Sequence, residues 1–194
     1  MPAIRRDSLL TLEAYAMTRS EFRARVLEHK RARTVHLGEH VTLLFEDELT
    51  IRYQIQEMLR IEKAFEETGI QDELDAYNPL VPDGSNFKAT MLIEYEAEIE
   101  RRPALATLKG IEHRVWLRVE GCPKVMAIAD EDLERANEAK TSAVHFLRFE
   151  LTPAMVAALK RDMALSLGID HPHYQADLLA LPPATRTALL GDLD

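Results

Sequence analysis

The stretch 45–65, FEDELTIRYQIQEMLRIEKAF, decides how the rest of the sequence is interpreted. From residue 49 onwards its apolar residues recur at helical spacing, namely Ile51, Ile55, Met58 and Phe65. At about 100° per residue, these four side chains fall within an arc of roughly 80°. The spacing therefore predicts a helix whose apolar face, a stripe of these four residues, packs against the protein core.

A carboxylate, Glu62, falls inside the same arc. In an apolar environment it must reach solvent, find a cation or hydrogen-bond donors, or keep its proton. A salt bridge to Arg25 or Arg148 is one interpretation, and a functional carboxylate is the other. The neighbouring flank carries Tyr53, Gln54 and Glu57, so the stretch predicts a candidate pocket that includes Tyr53, Glu57 and Glu62.

The composition limits the classes of protein that the sequence fits. With 194 residues, 46% hydrophobic and 29% charged, the chain can fold around one sizeable core. A formal charge of −9 would repel phosphates over most of the surface, so no nucleic-acid partner is expected. The single cysteine, Cys122, permits no internal disulfide, which fits a reducing cytoplasm.

No targeting or membrane-spanning segment is apparent in the sequence. The first 20 residues include Asp7 and Glu13 and contain no continuous apolar run, so no signal peptide is expected. No stretch approaches the roughly 18 apolar residues of a spanning helix. We therefore expect a soluble, cytoplasmic protein with no membrane partner.

A basic helix precedes the central stretch. Thr18 and Glu21 have the spacing of a capping box and predict a helix that continues to about residue 33. Its cationic side chains are Arg19, Arg23, Arg25, Lys30, Arg31 and Arg33. They form either a solvated basic face or an electropositive docking surface for an acidic partner or ligand.

The remaining patterns set the fold class. They predict a hairpin over 34–37 and 41–46, the central helix from Asp47 to about Gly69, and a shorter helix over 71–77. Strands are predicted over 87–96, 112–120, 124–129 and 142–151, and helices over 101–109, 130–140 and 152–168. The class is α+β, with a mostly antiparallel sheet of about five or six strands packed against the central helix and a helical C-terminal tail. Residues 1–168 are predicted to form a single domain, and residues 169–194 an extension that packs on it or mediates homo-oligomerisation.

Two histidines lie on the apolar side of predicted strands. His113 precedes Val115, and His145 precedes Leu147, at the two-residue repeat of a strand. If those strands pair in a suitable register, both imidazoles approach one patch, and Glu62 completes a set of two histidines and one carboxylate. Such a set suits non-haem iron, manganese or zinc. The alternative is that each histidine is a hydrogen-bonded core or edge residue.

A second group of side chains suits an anionic ligand. Its members are the cations Arg52, Arg60, Lys140 and Arg148. They could hold a carboxylate or phosphate, or they could form a salt-bridge network that joins helix to sheet. The sequence contains no glycine-rich phosphate loop, G-x-S-x-G elbow or H-E-x-x-H motif, so it leaves open whether the protein is an enzyme.

Three long runs carry a resemblance to a known family. They are VTLLFEDELTIRYQIQEMLRIE at 41–62, LDAYNPLVPDGSNFKATMLIEY at 74–95 and IADEDLERANEAKTSAVHFLRFEL at 128–151. They resemble the bacterial family catalogued as domain of unknown function 3501. The resemblance implies a gene context beside a rubrerythrin and an iron–sulfur protein related to heterodisulfide reductase, and hence a role in peroxide or oxidative-stress defence. It implies no activity, cofactor or site residue.

Two hypotheses follow from these observations. The first is an accessory or partner protein that itself catalyses no reaction and serves that rubrerythrin and iron–sulfur redox module. The alternative is a metal-binding or organic-anion-binding enzyme or sensor, with a pocket around Glu62, His113 and His145.

Overall fold

A computed structural model of the protein describes residues 3–131, 135–136 and 140–194. The helices are α1 (Leu12–Arg31), α2 (Glu48–Glu62), α3 (Glu67–Tyr77), α4 (Glu98–Thr107), α5 (Pro153–Lys160) and α6 (Pro183–Leu190). The strands are β1 (Thr34–Leu37), β2 (Val41–Phe45), β3 (Asn86–Ile93), β4 (Val115–Val119), β5 (Lys124–Met126), β6 (Ile128–Ala129), β7 (Val144–Glu150), β8 (Leu165–His171) and β9 (Tyr174–Leu178).

The described strands form two antiparallel sheets. Sheet A has the order β1-β2-β3-β7-β6, and sheet B has the order β5-β4-β8-β9. The predicted α+β class, its antiparallel strands and its C-terminal helix are confirmed. The predicted single strand over 124–129 serves both sheets, because Ala127 separates β5 from β6 and its amide donates to Val115 of β4 at 2.9 Å.

The main core lies between the two sheets. From sheet A, Leu43, Met91 and Phe149 are fully buried, and from sheet B, Leu117 and Leu167 are fully buried in the same cluster. Side chains alternate between the two faces of a strand, so one face of each sheet is apolar and faces the core. The outer face of sheet A is more polar, and its residues Lys88 and Arg148 line a cavity together with Ala76 of α3.

The chain from residue 169 onwards takes part in this main core. The boundary predicted at residue 168 falls inside β8, and β9 pairs with β8 from Leu167↔Leu178 to His171↔Tyr174. After β9, α6 buries Leu189 in the main core.

The helix predicted over 152–168 is shorter than expected, since α5 ends at Lys160 and the chain then enters β8. Gly168, predicted to stop that helix, instead lies in β8 opposite Trp116 of β4. A Cβ atom at position 168 would lie 2.3 Å from Trp116 Cζ2, so the indole requires a glycine beneath it. Apolar spacing over a few residues did not distinguish this strand from a helix.

A second, smaller core holds the N-terminal third of the chain together. Ile51, Ile55 and Leu59 of α2 pack there with Ile70 and Leu74 of α3. Of the stripe predicted on the central helix, Ile51 and Ile55 are buried and Met58 is half-buried, and the buried part packs against neighbouring helices rather than across the sheet.

The central helix is also shorter than the predicted one. It ends at Glu62, because Lys63 adopts a left-handed conformation with φ 54°. Phe65, predicted to belong to the stripe, is 74% exposed beyond the end of the helix. Asp47 caps the helix as predicted, and its side chain accepts from the Thr50 amide at 2.9 Å.

The basic helix begins earlier than the capping-box spacing predicts. Thr11 caps it by accepting from the Ala14 amide at 3.3 Å, and α1 then runs unbroken to Arg31. The Thr18 hydroxyl does not cap a helix but donates to the Ala14 carbonyl at 3.1 Å. Within α1 only Tyr15 and Val26 are buried, so most of this helix faces solvent.

Of the helix predicted over 130–140, residues 132–134 and 137–139 lie outside the described residues, and the remaining ones are not helical. Within the described ranges, none of the helices combines the length and apolar character that crossing a membrane requires.

Candidate functional site

A solvent-accessible groove lies between α1, α2 and the N-terminal segment. Its volume is about 360 Å³. The side chains that line it are Ser8, Leu10, Thr18, Glu21, Phe22, Arg25, Arg52 and Gln56. We call this feature the α1–α2 groove.

Side chains of α2 hold the N-terminal segment in place as one wall of the groove. Gln56 is 1% exposed, and its Oε1 accepts from the Leu10 amide at 2.7 Å. The Arg52 guanidinium donates to the Ser8 carbonyl. Because the backbone of this wall is fixed by buried and half-buried α2 side chains, the groove exists before any ligand arrives.

The cations of the α1–α2 groove differ in how far they are neutralised. Arg52 Nε donates to Glu48 Oε1 at 2.8 Å, so an acid one helical turn away already balances its charge. Arg25 is exposed, and its guanidinium carbon lies 5.1 Å from the centre of the Phe22 ring. In the described part of the chain no carboxylate forms an ion pair with Arg25, so its guanidinium remains available to an anion.

Glu21 is the acidic member of the α1–α2 groove. It lies one helical turn before Arg25 on α1 and is exposed. Among the described residues Glu21 forms no ion pair. A ligand carboxylate bound to Arg25 would therefore meet partial repulsion from Glu21, which a substitution can remove.

Glu57 clamps α1 to α2 behind the groove. Its carboxylate accepts from Arg19 Nε at 2.7 Å and Nη2 at 2.8 Å, and from the Tyr15 hydroxyl at 2.6 Å. Arg60 Nη2 adds a further contact at 3.2 Å. The Arg19 hydrogen bonds lead the effects that lower the pKa of Glu57 to about 2, whereas burial and Glu57 raise the pKa of the Tyr15 hydroxyl.

Tyr53, the second predicted pocket residue on this flank, belongs to the same interface. Its ring meets Phe22 edge-on, with centroids 5.9 Å apart. The Lys30 ammonium lies 5.7 Å from the Tyr53 centroid. Tyr53 and Glu57 therefore form the packed back of the α1–α2 groove, and they join two helices rather than line an open pocket.

Glu62 is not the misplaced core carboxylate that the helical arc predicts. It is the last residue of α2 and is exposed. No ion pair from Glu62 to Arg25 or Arg148 occurs in the described structure. Glu62 instead lies near Glu73, whose pKa is raised by burial and then by the negative charge of Glu62.

His145 forms the centre of a separate buried polar cluster. The side chain is fully buried, and its Nδ1 lies 2.5 Å from Asp130 Oδ2. Its Nε2 lies 2.9 Å from the Thr141 hydroxyl and 3.9 Å from Glu112 Oε2. The Thr141 hydroxyl donates to Glu112 at 3.1 Å. We call these four residues the His145 cluster.

His113 and His145 were predicted to approach one patch, and in the structure what they share is a neighbour, Glu112. His113 lies in a 3₁₀ turn before β4, its side chain is 65% exposed, and Nε2 is 3.8 Å from Glu112 Oε1. The prediction that His113 lies within a strand is therefore wrong, and Glu62 is not part of the cluster. Among the described residues no group of three or more His, Cys, Asp or Glu side chains is arranged to hold a metal ion.

Sequence reasoning missed the acids of the His145 cluster. Asp130 adopts a left-handed conformation with φ 51°, which is uncommon for a residue other than glycine. Its Oδ1 accepts from the Phe146 amide at 3.0 Å. A local pattern could have identified Asp130 as a turn residue, but its distance from His145 depends on how the chain returns to β7.

The four predicted anion-binding cations do not form one site. Arg52 lines the α1–α2 groove, Arg60 contacts Glu57, and Lys140 is an exposed residue that does not line the groove. Arg148 lies on sheet A, where its Nε donates to Glu131 Oε2 at 2.8 Å. Of the four predicted cations, Arg52 lines the α1–α2 groove. The second arginine that lines it, Arg25, was not one of the four.

Glu57 predicts a specific dependence of stability on pH. A folded-state pKa of about 2, against an ordinary 4.5, means that Glu57 stabilises the fold fully above pH 4.5 and loses this contribution as the pH falls. Between about pH 5 and pH 3, we expect wild type to lose on the order of 1–2 kcal/mol more free energy of unfolding than Glu57→Gln. Urea unfolding across this pH range measures the difference.

The exposed residue Glu13, also on α1, supplies the control for this experiment. The variant Glu13→Gln should follow the wild-type pH profile. If Glu57→Gln follows it as well, the carboxylate clamp does not exist in solution.

The chain is similar to a known protein family and to a protein of solved structure. The sequence model of the family described as "Protein of unknown function (DUF3501)" matches residues 3–193. A crystal structure of a novel protein of unknown function from Burkholderia pseudomallei K96243 is 62% identical in sequence, with 100% of each chain covered and a TM-score of 0.95. No match is found among curated proteins.

Proposed function

The chain belongs to the DUF3501 family, whose description names no activity, and we propose that it binds a small organic anion with an apolar body in the α1–α2 groove. The observation that carries the proposal is Arg25. It is an exposed guanidinium at a preformed groove, and no carboxylate in the described structure neutralises it.

The chemistry of the groove favours a ligand that has a carboxylate at one end and an apolar body at the other. A guanidinium offers paired N–H donors that match a carboxylate, and such charge-assisted hydrogen bonds are among the stronger polar contacts in proteins. Leu10 and Phe22 supply apolar surface within the same groove. A volume of about 360 Å³ lies within the range of small-molecule pockets. An aromatic carboxylate fits both requirements.

The proposal predicts that affinity depends on the charge of the ligand. Isothermal titration calorimetry would compare 3-phenylpropionate with its neutral and cationic analogues, 3-phenylpropanol and 3-phenylpropylamine. We expect 3-phenylpropionate to bind with a Kd of about 1 mM or tighter, and both analogues at least about tenfold more weakly. All three share the apolar body, so the difference isolates the carboxylate.

Three variants locate this binding on the protein. Arg25→Gln should weaken 3-phenylpropionate binding roughly tenfold or more, because a hydrogen bond to a charged group contributes about 1.5–3 kcal/mol. Glu21→Gln should tighten binding a few-fold by removing the nearby negative charge. Arg23→Gln changes an exposed arginine of α1 outside the groove and should leave the Kd unchanged. Equal affinities for all four proteins would contradict the proposal.

We also keep the proposal that the protein serves as an accessory partner of a rubrerythrin-like or iron–sulfur protein, in a peroxide or oxidative-stress response. Its support is the exposure of α1, on which Met17 is 88% exposed and Leu27 is 46% exposed. Co-purification of tagged protein under anaerobic conditions tests it, and recovery of neither partner would contradict it. A cytoplasmic location and homo-oligomerisation stay predictions as well.

A further inference from the structure

A second cavity lies on the outer face of sheet A, away from the α1–α2 groove. Its volume is about 320 Å³. It is lined by Ala76, Pro79, Leu80, Lys88, Glu131, Phe146, Leu147 and Arg148. We call it the Lys88 cavity.

Strand pairing places two cations opposite each other in the Lys88 cavity. Lys88 of β3 is the direct antiparallel partner of Arg148 of β7. Like charges at such positions repel, because the two side chains leave the sheet on the same face. The strand register therefore places two positive charges side by side, and the positions of the nearby carboxylates determine which of the two is neutralised.

The acids neutralise Arg148 rather than Lys88. Arg148 donates to Glu131 through Nε at 2.8 Å and through Nη2 at 2.9 Å, and it also contacts Glu150. The Lys88 ammonium donates to the Pro79 carbonyl, which carries no formal charge. In the described structure Lys88 forms no ion pair, although it is half-buried.

The environment of Lys88 destabilises its ammonium form relative to that of an exposed lysine. Burial, followed by the positive charge of Arg148, holds the pKa of Lys88 below its ordinary value. Asp83, Glu131 and Glu150 act in the opposite direction without reversing the shift. A desolvated lysine beside another cation is a known arrangement for an amine that attacks carbonyl carbons.

We propose that Lys88 is an imine-forming residue that captures small aldehydes or ketones in the Lys88 cavity. Leu80 and Phe146 give the cavity apolar walls for the body of such a ligand. Lys88 Nζ supplies the nucleophile in the same cavity. The proposal is independent of anion binding in the α1–α2 groove.

The proposed step balances without a further reactant. The nitrogen lone pair of the neutral amine attacks the carbonyl carbon, and the π electrons of the C=O bond move to oxygen. Proton transfer from nitrogen to oxygen gives a carbinolamine. The nitrogen lone pair then expels the hydroxyl group, which leaves as water with the remaining N–H proton, and the C=N bond of an imine forms. Nothing is oxidised or reduced, and water reverses the reaction.

Reductive trapping with benzaldehyde tests the proposal on the full chain. Sodium cyanoborohydride delivers hydride to the imine carbon and leaves a stable benzylamine, which peptide mass spectrometry assigns to individual lysines. Lys63 and Lys160 are exposed and serve as internal references. At pH 7 we expect Lys88 to be modified several-fold faster than either, because a lowered pKa raises the fraction of the amine that is neutral and nucleophilic.

Two further measurements separate imine chemistry from simple access. The pH at which modification reaches half its maximal rate should be lower for Lys88 than for Lys160. Lys88→Met should abolish the fast adduct, whereas Lys160→Met should retain it. Equal rates and equal pH midpoints at Lys63, Lys88 and Lys160 would overturn the proposal.

Discussion

Replacing Arg33 with methionine is expected to lower the free energy of unfolding by about 3–5 kcal/mol, the cost typical of breaking a buried ion pair. Arg33 is 2% exposed. Its guanidinium contacts Asp192 after α6 and lies 3.3 Å from Asp47 Oδ2 at the cap of α2. It also donates to three backbone carbonyls, those of Phe45, Glu46 and Ala188.

The substitution leaves these acceptors buried without their donor. Burial already raises the pKa of Asp192 to about 6 in the presence of Arg33. Without the guanidinium, Asp192 must take up a proton or remain an unpaired buried charge, and either outcome destabilises the native state. Because Arg33 joins β1, α2 and the C-terminal end, its loss should loosen the contact between the two cores.

Urea unfolding at pH 7 measures the effect of Arg33→Met. Arg31→Met provides the control, since the Arg31 side chain is 78% exposed and, among the described residues, its one ion pair is with Glu28. We expect the control to change stability by less than about 0.5 kcal/mol. Equal stabilities for the two variants would show that Arg33 is solvated in solution.

Replacing His145 with alanine is expected to destabilise the fold by a similar amount, about 3–5 kcal/mol. The imidazole lies between Glu112, which is buried, and the side chain of Asp130, which is 9% exposed. Its removal leaves the Thr141 hydroxyl without its imidazole contact and opens a cavity between β7 and the turn that precedes β4. Cavity formation adds to the cost of unpaired polar groups.

His113→Ala is the matched control for His145→Ala. His113 approaches the same Glu112 but is 65% exposed, so water can replace its contact. We expect a change of less than about 0.5 kcal/mol for His113→Ala in urea unfolding. A small effect in both variants would contradict the buried interactions of the His145 cluster.

Local sequence patterns predicted much of the secondary structure. The hairpin of β1 and β2, the Asp47 cap and the antiparallel strands follow from turn residues and two-residue alternation. The division into two sheets could not be predicted in this way. It depends on long-range register, because the chain changes sheets three times: between β3 and β4, at Ala127 between β5 and β6, and between β7 and β8.

Local sequence patterns also failed to predict which charged side chains are buried. Arg33 belongs by spacing to a solvated basic face, yet it is buried because the C-terminal segment returns to cover it. Glu62 belongs by helical arc to the core, yet it is exposed because α2 ends at a left-handed Lys63. In both cases a neighbour distant in sequence, or an unusual backbone conformation, outweighs the local periodicity.

The candidate site was predicted only in part. Arg52 was singled out as an anion-binding cation, and Arg25 as a cation for an acidic partner or ligand, but on different grounds. Their common groove depends on residues 8–10 folding back onto α2, where the Gln56 side chain holds the Leu10 backbone. A buried glutamine that binds main chain gives no sequence signal beyond its place on a helix.

Anion binding in the α1–α2 groove is tested most directly by a crystal soaked with 3-(4-bromophenyl)propionate. Anomalous scattering locates the bromine atom without reference to the expected pose. We expect one bromine peak between α1 and α2 beside Leu10 and Phe22, with the carboxylate about 3 Å from the Arg25 guanidinium. A fully occupied bromine peak elsewhere, with an empty groove in the same crystal, would contradict the proposed function.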